Sequence, residues 1–199
     1  MTDAGLPAIS DPGEDIVRLC IERNIVVCPI PGPCAAVTAL CASGLPAGRF
    51  AFEGFLSTAK KSRAEHLSQL KEERRTMVFY EAPHKLLSTL RDLQGALGER
   101  NIVLARELTK IYEEFIRLTL SEAIERFSGA PARGEFVLMV EGKAQEEAKE
   151  MGEADVKQLL DGLIVRGLSK SEAAKEAAKL TTRKKSDLYK LLLEEKKDL

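Results

Sequence analysis

Two Gly/Pro-rich loops carry the residues of this chain best suited to touch a small ligand. T-D-A-G-L-P-A-I-S-D-P-G occupies positions 2–13, and P-G-P-C-A follows at 31–35. Glycine and proline let the backbone itself approach a ligand with no side chain between. Asp3 adds a carboxylate that accepts hydrogen bonds from a ribose or an amine. Each loop feeds an apolar helical stretch, and an ordinary connecting turn has the same composition. Asp11, Pro12 and Glu14 read as a helix start. Asp11 is placed as N-cap, Pro12 at the first helical position and Glu14 as the reciprocal cap.

The elements that position these loops alternate between strands and helices. A short amphipathic helix over 14–23 turns Ile16, Leu19 and Cys20 inward. The β-branched run 25–30 reads as a buried parallel strand, and 34–43 as a helix ended by Gly44. Then come an edge-like strand at 50–52, a helix at 60–73, a strand at 76–80 and a helix at 83–97 stopped by Gly98. Strands at 101–106 and 113–120, a short helix at 121–127 and a strand at 135–140 that closes the sheet complete an α/β layer fold. Residues 143–153 form a charged linker. Three short helices follow, the first over about 155–166. The second opens with the capping box S-K-S-E at 169–172, and the third holds Leu188, Tyr189, Leu191 and Leu192. They read as a helix-turn-helix-like module or, alternatively, as a plain three-helix packing module.

Composition narrows the classes. In 199 residues, 44% hydrophobic and 31% charged content describe a globular chain of one or two domains. A net charge of −1 gives no overall basic signature, so any nucleic-acid contact must come from local patches. One such patch runs from Arg166 to Lys190, with eight Lys/Arg against three Asp/Glu. The four cysteines, Cys20, Cys28, Cys34 and Cys41, lack C-x-x-C spacing and histidine partners, which argues against a metal site and for buried reduced thiols in a cytoplasmic protein. Residues 25–48 carry no charge, but Pro29, Pro31, Gly32 and Pro33 break the run, so no membrane span is expected. The polar opening turn does not read as a signal peptide.

Three later blocks give the two loops a context: F-Y-E-A-P-H-K at 79–85, A-R-E-L-T-K at 105–110 and G-E-F-V-L-M-V-E-G at 134–142. In this order the ensemble resembles the tetrapyrrole-methylase type of S-adenosylmethionine-dependent methyltransferases (class III). Within it, the chain resembles the ribosomal RNA small subunit methyltransferase I branch, which methylates a cytidine ribose 2′-hydroxyl in 16S rRNA. Departures are modest: Thr2 and Cys34 stand for Ser, Leu6 for Thr, Ala82 for Ser, Lys85 for Arg and Arg133 for Lys. The resemblance implies that 1–48 are the remnant of an N-terminal α/β cofactor domain. It makes 49–142 the second α/β domain, 143–153 a linker and 154–199 a helical C-terminal module. The family opens with a T-P-I-G-N-L-x-D loop that this sequence lacks, so impaired activity is expected.

The resemblance also implies a site. Asp3, Ala4, Gly5, Leu6 and Ile9 would line the ribose and methionine side of S-adenosyl-L-methionine, with Cys34 and Ala35 contacting it through backbone groups. Tyr80, Glu81, Glu107 and Leu108 would approach the adenine or the acceptor, and Glu135 would either join the cofactor site or cap the loop beside Gly134. Glu81, Glu107 and His84 are the candidate proton acceptors, because each sits at or just beyond a strand end; His84 facing solvent is the plainer reading. Arg106 and Lys110 either neutralise RNA phosphate or pair with Glu107 and Glu113. Arg183, Lys184 and Lys185 are the RNA contacts expected of the tail. The lysine–aspartate–lysine–glutamate tetrad of other 2′-O-methyltransferases is not recognisable. The implied partner is 16S rRNA in the small ribosomal subunit, and the unpaired strand edge expected within 1–48 predicts a second copy of the chain as another. A tetrapyrrole methyltransferase and a silent RNA- or protein-binding remnant are the rival readings.

Overall fold

The computed structural model describes residues 5–144 and 151–194. They form two compact units that meet at residues 143 and 144 in the chain. In the first unit, helices α1 (Glu14–Glu22) and α2 (Ala35–Ser43) precede strand β1 (Phe50–Gly54). Then follow α3 (Lys60–Leu70), β2 (Thr76–Glu81), α4 (Leu86–Leu97), β3 (Asn101–Arg106), β4 (Glu114–Thr119), α5 (Leu120–Ser128) and β5 (Phe136–Val140).

The strands make one five-stranded sheet in the order β1-β2-β5-β3-β4. β1 and β2 are parallel, whereas β5 runs antiparallel to both β2 and β3. The last strand therefore enters the middle of the sheet rather than closing its edge. Its residues Phe136 to Val140 are all buried, as a five-residue apolar run demands of a central strand.

Alternation along the strands divides the core between the two faces. Met77, Phe79, Ile102, Leu104, Phe136 and Leu138 point to the side covered by Leu67 and Leu70 of α3, Leu86, Leu90 and Leu93 of α4, and Leu120 of α5. Val78, Val103, Ala105, Val137 and Met139 point to the other side, where Ala36, Ala39 and Leu40 of α2 cover them. The alanines let α2 lie close to the sheet. Gly44, at φ 84, ends that helix in the left-handed conformation glycine favours. Gly142 answers a closer approach, since a Cβ there would lie 2.1 Å from the Arg74 carbonyl oxygen.

The amino-terminal segment departs from the sequence expectations. α1 begins after Gly13 with no side-chain cap, so Asp11 and Glu14 do not form the anticipated reciprocal cap. Ile16 and Leu19 are exposed rather than inward, at 65% and 43%, and α1 buries no residue. Residues 25–30 belong to no strand, and Val26 is 90% exposed. A β-branched run favours extended backbone, yet a strand exists only where another lies beside it, and none does among the described residues. The cysteines follow suit: Cys28 and Cys41 are exposed, Cys20 and Cys34 half-buried, and none forms a disulfide.

In the second unit, α6 (Glu153–Val165), α7 (Lys170–Leu180) and α8 (Lys185–Glu194) enclose a small core. Val156, Leu160, Ala173, Ala174, Ala177, Leu188 and Leu192 fill it. The Ser169–Glu172 capping box forms as the sequence indicates. No helix among the described residues is long and apolar enough to cross a membrane.

Candidate functional site

The two glycine loops meet. A Cβ on Gly5 would lie 3.2 Å from the Pro33 carbonyl oxygen, and one on Gly32 would lie 3.3 Å from Leu6 Cδ2. Gly54, at the end of β1, approaches the Ser10 hydroxyl equally closely. Among the described residues, the non-glycine positions with positive φ are Ala8, Ser10, Asn24, Glu107 and Thr109. Four of the five fall in the loop at 5–13 and the turn after β3. Left-handed backbone is costly for such residues and clusters where structure serves function. Leu6 is half-buried while Gly5 and Ile9 are exposed; Asp3 and Ala4 lie outside the described residues.

Tyr80 stands at the carboxyl end of β2 on the α2 face. Its hydroxyl accepts a hydrogen bond of 3.1 Å from the Ala36 amide in the first turn of α2. Burial pushes the phenol pKa up, so it remains neutral. Cys34 is the N-cap of α2. Cys34, Tyr80 and Leu108 all pack, partly buried, on the same cluster around Ala36 and Val103, while Ala35 is exposed. The structure thus brings together Cys34, Tyr80 and Leu108 from three separate sequence blocks.

Glu107 opens the turn after β3. One of its carboxylate oxygens accepts from the Glu135 amide at 2.9 Å and from Lys110 Nζ at 3.1 Å. Lys110 Nζ also reaches the Glu135 carboxylate at 2.9 Å. The Glu135 amide first, and Lys110 second, hold the Glu107 carboxyl below its ordinary range. Glu135 and Glu107 in turn raise the Lys110 ammonium. Arg106 pairs with Glu114, which also binds Arg126. Lys110 thus pairs with Glu107, whereas Arg106 pairs with neither expected partner but with Glu114, and Glu113 accepts from the Thr109 amide.

Glu81 sits next to Tyr80 but faces the other way. It is buried and accepts from the Ala82 amide and the Thr89 hydroxyl of α4. Thr89 in turn receives Arg63, which also binds Asp92. Successive strand residues point to opposite faces, so Tyr80 and Glu81 cannot share one cleft wall. His84 is exposed in the turn before α4. In the second unit, Lys184 and Lys185 are exposed and Arg183 half-buried at the turn into α8.

Sequence reasoning missed Phe52 and Phe55, whose rings lie 5.2 and 5.6 Å from that of Tyr80. The F-A-F alternation of β1 and the phenylalanine after Gly54 were the available signal.

Against this geometry stand the similarities to known proteins. The family described as Tetrapyrrole (Corrin/Porphyrin) Methylases matches residues 1–124, and the RsmI C-terminal HTH domain matches residues 150–196. A ribosomal RNA small subunit methyltransferase I of Synechocystis sp. is 46% identical over 195 residues, covering 98% of this chain and 70% of that protein. The protein of that name from Escherichia coli O157:H7 is also 46% identical, covering 98% and 68%. Among solved structures, the methyltransferase CobJ superposes with a TM-score of 0.55 at 19% identity, covering 74% of this chain and 64% of its own, which speaks to the fold alone. Together these matches show that the chain belongs to the tetrapyrrole (corrin/porphyrin) methylases and, among them, to the ribosomal RNA small subunit methyltransferase I family.

Proposed function

We propose that this chain transfers a methyl group from S-adenosyl-L-methionine to the ribose 2′-hydroxyl of a cytidine in 16S rRNA of the small ribosomal subunit. The observation that carries this reading is the convergence, on one face of the sheet, of the α2 N-terminus, Tyr80, Leu108 and two abutting glycine loops. The donor set fits such a cofactor. The first-turn amides of α2 suit an amino-acid carboxylate, and the half-buried Cys34, Tyr80 and Leu108 suit an adenosine. When bound, the cofactor supplies an electrophilic methyl on a sulfonium.

The chain's own residues do the positioning. Gly5, Leu6 and Ile9 line the loop beside this surface, with Asp3 and Ala4 preceding them. Cys34 and Ala35 present the start of α2, and Tyr80 fixes its Ala36 amide. Glu107, kept ionised by the Glu135 amide and Lys110, accepts a hydrogen bond from the ribose hydroxyl and orients its oxygen. Glu81 anchors α4 instead. His84 is the exposed group left to take the proton. Arg183, Lys184 and Lys185 in the second unit hold RNA phosphates, the exposed Lys184 and Lys185 foremost and the half-buried Arg183 beside them.

The uncovered segment 25–30 and the apolar stripe of α1 recruit a second copy, giving a homodimer. A ribosomal substrate implies the cytoplasm. Methyl-labelled S-adenosylmethionine offered with small ribosomal subunits and with uroporphyrinogen in one reaction tests the reading. Label in the RNA supports it; label in the porphyrin favours the tetrapyrrole alternative, and label in neither, with no cofactor bound, favours a silent binding remnant.

A further inference from the structure

We propose that Phe52 and Phe55, braced against Tyr80, form a stacking surface for a nucleobase of the acceptor RNA. This rests on the reading of the chain as an rRNA methyltransferase. The two phenylalanine rings stand steeply to that of Tyr80, at interplanar angles of 71° and 61°. Each edge-to-face contact covers at most one face of one ring of the pair, and Phe52 and Phe55 are 37% and 56% exposed. Their neighbours Ala51 and Leu56 are buried, so the chain places small and aliphatic groups in the core here and aromatic ones outside. The protein has no tryptophan and ten Phe and Tyr residues in all, three of them in this cluster.

Position argues for a base rather than for an unrelated ligand. Phe52 pairs with Val78 across the parallel β1–β2 ladder, which sets it on the α2 face with Tyr80. The Ala36 amide holds the Tyr80 hydroxyl, so the ring that both phenylalanines pack against is fixed beside the candidate cofactor surface. Gly54 turns the chain at φ +61 between the two phenylalanines and touches Ser10 of the first glycine loop. RNA-binding proteins splay single-stranded bases onto exposed aromatic faces of this kind, and a 2′-hydroxyl can be held in line only if its nucleotide is fixed.

The test is binding of a single-stranded 16S rRNA fragment and, separately, of S-adenosylmethionine to the wild-type chain and to Phe55→Ala, Phe55→Leu and Phe55→Trp. Phe55 is exposed, and thermal melting checks that each variant folds. Stacking predicts that Ala and Leu weaken RNA binding by roughly five- to a hundredfold while Trp stays near wild type. Cofactor affinity should be unchanged in all three. Leu binding RNA as well as Trp would show mere apolar cover and overturn the proposal. A loss confined to cofactor affinity would assign the rings to adenine and overturn it too. If the wild type binds RNA and no variant differs, the platform alone falls; if the wild type binds none, the rRNA reading falls with it.

Discussion

Gly134→Ala probes the turn that holds Glu107. Gly134 sits at φ +89, and a Cβ there would lie 2.6 Å from Glu107 Cγ and 2.8 Å from its carboxylate. Two effects combine. Left-handed backbone costs an alanine about 1–2 kcal/mol, whatever its neighbours do. The collision then drives the Glu107 carboxylate off the Glu135 amide and away from Lys110. In a chain of this size the backbone effect alone lowers Tm by about 2–8 °C, since 1 kcal/mol shifts Tm by about 2–4 °C. Displacing Glu107 adds to that and removes the oriented acceptor, so methyl transfer should fall further than stability. Calorimetric melting of Gly134→Ala, Glu107→Ala and the double variant separates the effects. Removing the Glu107 carboxylate first relieves the collision, so the double variant should lose less than the sum of the singles. Strict additivity, or an unchanged Gly134→Ala, would refute the argument.

Three other outcomes are expected. Tyr80→Phe strips the buried Ala36 amide of its acceptor; it should cost about 1 kcal/mol by chemical denaturation and weaken binding of S-adenosylmethionine in titration calorimetry. The Arg75 guanidinium, helped by backbone amides, lowers Glu73 to about 2 against an ordinary 4.5, so its stabilisation is complete above pH 4.5 and is lost as pH falls towards 2. Denaturation curves across that window should show Glu73→Gln flattening the loss. Lys184→Glu with Lys185→Glu should weaken RNA binding and reduce its salt dependence without altering cofactor affinity; an unchanged salt slope in filter binding would reduce the second unit to packing.

Local signals carried most of the secondary structure. The strand at 101–106 and the helix stop at Gly98 follow from apolar runs and turn residues, and the capping box at Ser169 from its S-x-x-E spacing. Pairing was less legible, because it depends on residues far apart in the chain. Nothing within 136–140 says that this strand enters between β2 and β3, and nothing within 25–30 says that no strand among the described residues lies beside it. The site divided along the same line. The glycine loops were evident from composition, but their contact through Gly5 and Pro33 was not. Glu81 shared a strand end with Tyr80, yet alternation turned it towards Thr89. Lys110 read equally well as a phosphate ligand until Glu107 and Glu135 closed on it.

The atom that receives the methyl group can be identified directly. Small ribosomal subunits lacking the modification, incubated with this chain and methyl-labelled S-adenosylmethionine, can be digested to nucleosides and resolved by mass spectrometry. Label is expected in 2′-O-methylcytidine from 16S rRNA, reduced when Glu107 is replaced by alanine. Label on a base, in another nucleoside, or in no nucleoside at all while cofactor binds normally would contradict that expectation.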